Sequence, residues 1–197
     1  QIKIDGDLTD VSGAGGVAVS GSIIVLESGN GGSIGSEGTP FSVEVLSGGT
    51  LEARSGLDVW LSSPTANDFP IAGIFAGGKA SVASEGPITD YAGQDVPRII
   101  ANGIDLTGSS IGTPTELLGL RLANAATGDV ALEATSGDVF VKGHEVDMPL
   151  VSLRAARGGL IETDTVLQLS GVNTLQFGLD GLGTSEMTLL TSGGVVA

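Results

Sequence analysis

The chain has 197 residues, of which 41% are hydrophobic but only 4% are aromatic, and 33 are glycine. Its 23 acidic residues outnumber 8 basic ones and give a net charge of −15, which argues against nucleic acid as a partner because nucleic-acid binding requires a basic surface. The longest uncharged run, residues 11–26, is broken by glycine and serine and is shorter than the roughly 18 to 20 apolar residues of a spanning helix, so we expect no membrane insertion.

Cysteine is absent, so no disulfide framework supports the fold. We expect an aliphatic core between frequent glycine turns. The first residue is Gln1, and no charged and then apolar leader precedes the first apolar run. We therefore interpret the sequence as a segment of a longer chain, with any signal peptide outside it.

Apolar residues recur at every second position in short runs, a period that is typical of half-buried strands. Glycine, serine, asparagine and aspartate separate the runs, and only Glu116–Ala126 has a composition that could also suit a helix. The inward residues of the predicted strands are Phe41, Val43 and Val45; Val130, Leu132 and Ala134; Val139 and Val141; and Val151, Leu153 and Ala155.

Long-range repeats connect these strands. The turn and strand GSIGSEGTPFSVEV, 32–45, recur as SIGTPTELLGLRL, 110–122, and LEARSGLDVWL, 51–61, recurs as LEATSGDVFV, 132–141. The second pair is more widely spaced than the first because residues are inserted around Asn124 in the second copy, where we expect a loop. We predict one domain over 1–197 with about two and a half units, roughly 1–79, 80–153 and 154–197.

Each predicted strand has a single apolar face, and stacking successive coils of a solenoid would bury all of these faces against one another. Coils of roughly 20 to 25 residues would give about eight to ten turns in this chain. We therefore predict an all-β fold, a parallel β-helix. The alternative is an antiparallel β-sandwich, which also uses short alternating strands.

The phrases TGDVALEATSGDVFV and GGTLEARSGLDVWL, with the recurring SIG turn, resemble the repeat regions of filamentous-haemagglutinin-like large exoproteins, which are giant bacterial surface adhesins. The resemblance implies a right-handed β-helix, secretion to the extracellular cell surface, and a role in attachment. The partners it implies are a host or neighbouring-cell surface, or glycans, together with further repeats of the same parent chain.

Two aromatic residues are the sharpest candidates for contact with a partner. Trp60 and Phe140 each stand between aliphatic residues that point inward, so we expect both rings to face outward, where they could form an apolar stripe for sugar rings or a partner surface. The alternative is that a neighbouring loop covers each ring. The inserted loop at Asn124 is the third candidate. A glycan-binding module is the alternative function that these residues favour.

Catalytic chemistry has little support in the sequence. G-x-S-x-G occurs twice, at 31–35 and 108–112, but the single histidine, His144, cannot serve both serines. We predict that His144 is a solvated or capping residue in a turn. We propose no catalytic residue and do not expect an enzyme.

Acidic residues leave two alternatives open. Asp5, Asp7 and Asp10 depart from the EF-hand pattern, so we expect no cofactor beyond weakly bound calcium. Polysaccharide-cleaving enzymes with β-helical folds cluster carboxylates or a basic residue on one face, whereas the acids and bases of this chain are scattered in sequence. Stacking could still bring them together across coils.

Overall fold

The computed structural model describes residues 1–12, 16–169, 174–178 and 186–196, and in these ranges the chain forms strands and turns. Among these residues there is no helix, and so none that is long and apolar enough to cross a membrane. The strands are β1 (Ile2–Lys3), β2 (Val19–Glu27), β3 (Phe41–Ser55), β4 (Val59–Ser63), β5 (Phe69–Ala76), β6 (Lys79–Ser84), β7 (Ile88–Asp90), β8 (Ile99–Ala101), β9 (Gly103–Gly108), β10 (Leu118–Leu122), β11 (Val130–Ala134), β12 (Val139–Gly143), β13 (Met148–Ala155), β14 (Gly159–Thr163), β15 (Leu167–Gln168), β16 (Thr174–Phe177), β17 (Met187–Thr191) and β18 (Val195–Val196).

The pairings between these strands are parallel and join each coil to the next. One column of paired residues runs along the described stack, with one member in each coil: Ile2, Leu26, Ala53, Ile74, Ile99, Leu120, Gly143, Thr163 and Thr191. The eight steps between these nine residues correspond to about eight turns, so the predicted parallel β-solenoid is confirmed. The antiparallel sandwich is wrong.

Two long sheets form the sides of the solenoid. Sheet A contains β1, β2, β3, β5, β7, β8, β10, β12, β14 and β17, whereas sheet B contains the start of β3 together with β4, β6, β9, β11, β13 and β16. The start of β13 also joins β15 and β18 in a third, short ladder. The chain thus enters each of the two long sheets once in every coil.

The core is aliphatic and follows the alternation in the sequence. In β4, β11 and β12 every second residue is buried, and the inward columns hold mainly Val, Leu, Ile and Ala. Burial of each such Val, Leu or Ile side chain contributes about 1.5–3 kcal/mol. One predicted inward residue is wrong: the register of β13 shifts where Leu150 pairs with Val130, so Leu150 is buried and Val151 is half-buried.

The two SIG turns have the same local structure. Ile34 and Ile111 are both fully buried, and the glycine after each has a φ of +67° at Gly35 and +66° at Gly112. Glycine adopts such backbone angles more readily than any other residue. Directly after each glycine, an antiparallel bridge closes a short outward loop, between Ser36 and Thr39 in one turn and between Thr113 and Glu116 in the other. The chain then returns to the stack as a strand. The sequence repeat therefore marks a repeated turn.

The repeated turns nevertheless lie on different sheets. Ile34 pairs with the first residue of β4 in sheet B, and its column continues through Ala80 and Ile104, three coils further on. Ile111 follows Ile104 in the same coil and pairs with β12 in sheet A. The step from Ile34 to Ile111 thus spans three coils plus the passage from one sheet to the next. The unit boundaries 1–79, 80–153 and 154–197 stay a prediction about the sequence repeat.

Candidate functional site

Trp60 and Phe140 both point away from the core. The aliphatic residues on either side of each ring are buried, and the two aromatic residues are partly exposed. Lys79 places its Nζ 5.4 Å from the centre of the Trp60 ring and 3.1 Å from Asp105. Trp60 is therefore partly covered by a charged neighbour from the next coil.

The two rings do not form a stripe. The column that starts at Trp60 runs along sheet B through Ser81 and Asp105 to Ala131. Phe140 lies in the same coil as Ala131 but beyond the turn after β11, and it pairs with Leu160 in sheet A. The expected apolar stripe is wrong, because the step from Trp60 to Phe140 is not a whole number of coils. Contact of either ring with a partner stays a prediction.

Asn124 lies in the turn between β10 and β11 and is exposed. Its Oδ1 accepts a hydrogen bond from the backbone N–H of Ala126 at 3.0 Å, and its carbonyl oxygen accepts one from Gly128 at 2.8 Å. The residue therefore shapes its own turn. Its role in binding stays a prediction.

Stacking assembles a charged group that the sequence does not reveal, which we call the lysine cluster: Asp95, Lys142, His144, Glu162 and Asp164. Lys142 Nζ lies 2.9 Å from Asp95, 3.1 Å from Glu162 and 3.6 Å from Asp164. His144 Nδ1 lies 3.3 Å from Asp164 Oδ2, and Nε2 lies 3.7 Å from Asp95 Oδ1. The His144 side chain is only 8% exposed, so of the two predicted roles, solvated or capping, the solvated one is wrong.

The loop between β7 and β8, residues 91–98, brings Asp95 to this cluster. Its two ends are tied by a buried ion pair, in which Arg98 Nε donates to Asp90 Oδ2 at 2.9 Å and to Oδ1 at 3.1 Å. In the next coil Gly119 makes room for the loop, because a Cβ at this position would collide with the carbonyl oxygen of Val96. The loop is thus fastened across the outer surface of sheet A.

The electrostatics of the cluster keep its lysine charged. Hydrogen bonding to Asp95 raises the pKa of Lys142 well above its usual value, and Glu162 and Asp164 act in the same direction. The hydrogen bond from Lys142 in turn lowers the pKa of Asp95. A lysine that stays protonated cannot accept a proton from a substrate, so the arrangement suits a clamp for the loop better than a general base.

Other acids hold the backbone of the next coil. Asp58 Oδ1 accepts a hydrogen bond from the N–H of Lys79 at 2.7 Å, and Asp138, its counterpart in the sequence repeat, accepts one from Gly158 at 3.0 Å. Asp7 does the same for Ser33 at 2.7 Å. These aspartates satisfy N–H groups at the solenoid corners, which accounts for their regular recurrence.

The described ranges contain no evident calcium-binding site. Within them no group of three or more histidine or acidic side chains is arranged to hold a metal ion. Asp10 uses both carboxylate oxygens in hydrogen bonds to Ser12 and Ser42. Weak calcium binding at the acidic surface stays a prediction.

The lysine cluster was missed because Lys142 and Asp95 are distant in sequence and lie two coils from each other. One signal was present in the sequence: Asp90 follows Ile88 at the inward phase of β7, where an apolar residue is expected. A charge at an inward position requires a buried partner, and the nearby Arg98 is the basic residue that supplies it.

No family model, no curated protein and no solved structure matches this chain.

Proposed function

We propose that this solenoid is a structural and adhesive segment of a secreted bacterial surface adhesin, which presents binding surfaces on a rigid rod. The observation that carries the proposal is the unbroken column of paired residues from Ile2 to Thr191. Eight steps at the strand spacing of about 4.8 Å give a stack roughly 40 Å long. Outward loops can vary on such a scaffold without disturbing the core.

Exposed apolar residues at one end of the stack support a further part of the proposal. In the last described coils three large apolar side chains that continue inward columns are 43–47% exposed: Leu175, Phe177 and Val195, which pair with the buried Leu153, Ala155 and Leu167. Additional coils of the same chain would cover them, as stacking covers the equivalent residues of the inner coils. Further repeats of the parent chain are therefore among its proposed partners, beside glycans and cell surfaces.

A polysaccharide-cleaving enzyme gains no support from the arrangement of the charges. The lysine cluster unites a base with carboxylates, but Lys142 is held protonated among three acids. The pair Arg54 and Glu52 is likewise closed, with 2.6 Å between Nε and Oε1. Groups that neutralise each other are poorly placed to bind and cleave a polymer.

The experiment passes a panel of acidic and neutral polysaccharides over the immobilised protein, with and without calcium, and records both retention and polymer length. A blank matrix is the control. Retention of at least one polymer at unchanged length is the expected result. Shortened polymer would contradict the proposal in favour of an enzyme, and an absence of retention throughout the panel would contradict the presentation of a glycan-binding surface by this segment.

A further inference from the structure

A groove of about 550 Å³ crosses three successive coils on the side of the solenoid where the chain turns into sheet A. This volume lies within the roughly 300–1,000 Å³ of small-molecule sites. Its lining comes from an excursion in β3, from the corner before β5, and from the residues around the end of β7. The groove is separate from the lysine cluster and from Trp60.

The first wall is an extra loop within β3. Val45 pairs with Gly21 and Thr50 pairs with Ile23, so residues 46–49 have too few partners in β2 and bulge outward. The bulge exposes Leu46, which is 43% accessible to solvent, next to the exposed Ser47. An apolar side chain beside a hydroxyl is thus held at the rim of the groove.

The second wall includes Tyr91, which is 52% exposed. Its backbone is held by two contacts: its N–H donates to the carbonyl oxygen of Ile71 at 3.1 Å, and the side chain of the preceding Asp90 is paired with Arg98. Because the backbone is held, binding would cost little ordering of this part of the groove. An aromatic residue in a prepared position is a suitable platform for a flat ligand.

Between the walls lie polar side chains with unused hydrogen-bonding capacity. Asn67 and Asp68 are exposed at the corner before β5, and within the described ranges their side chains make no hydrogen bond or ion pair. Asn102 and Asn124, by contrast, use their side chains to hold neighbouring backbone. The groove therefore offers an amide and a carboxylate, both open to a ligand, beside an aromatic ring.

A sugar ring matches this combination. Its C–H face packs on an aromatic ring, and its hydroxyl groups exchange hydrogen bonds with amides and carboxylates. The carboxylate of Asp68 and the net charge of −15 disfavour an anionic sugar. We propose that this groove binds a neutral oligosaccharide, with Tyr91 as the stacking platform and Asn67 and Asp68 as hydrogen-bonding partners; the inference rests on the proposed role in attachment.

The test follows backbone amides by NMR during titration with cellohexaose, mannohexaose and xylohexaose, and with the anionic hexagalacturonate. We expect saturable shifts around the groove with at least one neutral hexasaccharide and none there with hexagalacturonate. Tyr91→Ala should weaken Kd about tenfold or more, whereas Tyr91→Phe should stay within about threefold. Phe75→Ala, which removes a half-buried aromatic ring of β5 outside the groove, is the matched control and should leave Kd unchanged.

Several results would overturn the inference: no groove shifts with any neutral hexasaccharide, stronger binding of hexagalacturonate in the groove, or an equal Kd for Tyr91→Ala and the native chain. Because Tyr91 is exposed, unchanged amide shifts outside the groove will show that the variant is folded. If the Tyr91→Ala variant still retains the polymer, the groove is excluded as the binding site, whereas the proposed role in attachment is unaffected. Cleavage of a polymer would instead remove the attachment role.

Discussion

The ion pair of Asp90 and Arg98 offers a quantitative test of how the loop 91–98 is held. The Asp90 side chain is 0% exposed and that of Arg98 is 11% exposed, so solvent screens the pair little. Arg98→Met leaves the carboxylate buried without its cation, and breaking such a pair costs about 3–5 kcal/mol. We expect a loss of this size in the free energy of unfolding.

A second substitution separates the charge from the hydrogen bonds. Asp90 Oδ1 also accepts hydrogen bonds from the N–H groups of Ala92 at 2.8 Å and Gly93 at 2.9 Å. Asn at position 90 keeps an oxygen for these donors but removes the charge. The double variant Asp90→Asn with Arg98→Met should therefore recover at least about 2 kcal/mol of the loss.

The assay is urea unfolding followed by circular dichroism, with hydrogen exchange at the amides of the loop. Arg154→Met is the matched control, because it breaks the exposed pair with Glu133, whose side chains are 45% and 36% exposed, and should cost less than about 1 kcal/mol. The explanation by a buried charge is refuted if Arg98→Met lowers the free energy of unfolding no more than this control does. It is also refuted if the double variant is no more stable than Arg98→Met alone.

Three further predictions concern the loop and the outward surfaces. Gly119→Ala should push the loop away from sheet A and speed exchange of its amides, whereas Gly38→Ala, where a Cβ meets nothing within 4 Å, should not. The pKa of Asp95 is lowered. The ion pair of Asp95 with Lys142 therefore stabilises the loop fully above the usual carboxyl pKa of about 3.9, and this stabilisation is lost as the pH falls through the lowered pKa. Lys142→Met should raise the pKa of Asp95 in an NMR titration, and an unchanged pKa would contradict the clamp. Trp60→Ala should reduce polysaccharide retention without changing the fold, and equal retention would eliminate Trp60 as a contact.

The fold was predictable because a solenoid repeats one local rule many times. Alternation of the kind seen at Phe41, Val43 and Val45 fixes which face is buried, and glycine-rich corners permit the bends. The segment from Glu116, which has a composition compatible with a helix, contains the strand β10 because Leu118 and Leu120 must occupy inward positions in the stack.

The placement of residues on particular sheets was less predictable. Coil length varies, since bulges and outward loops add residues without lengthening the stacked path: the coil from Leu26 to Ala53, which contains the bulge at 46–49, is longer than the next one, from Ala53 to Ile74. The long-range sequence repeats therefore match turns that have the same shape on different sheets. For that reason Trp60 and Phe140 resemble each other in sequence but do not share a column.

The candidate sites depend on contacts between coils, which a single sequence does not fix. Asp95 meets Lys142 only because the loop crosses the coil that carries Gly119. Tyr91 lines a groove only because a bulge in β3 and the corner before β5, each in a different coil, lie beside it. Composition identifies such residues as polar or aromatic, whereas the register of the stack decides their neighbours.

The pairing of residues between adjacent coils is the most direct test of the parallel solenoid, because the position of every candidate site depends on it. The chain has no cysteine, so pairs can be introduced singly. Ser81 and Asp105 are partners in adjacent parallel strands, where the spacing of about 4.8 Å falls within the Cα range of a disulfide. We predict rapid oxidation of Ser81→Cys with Asp105→Cys and none of Trp60→Cys with Phe140→Cys; the reverse result would contradict the parallel register of the solenoid.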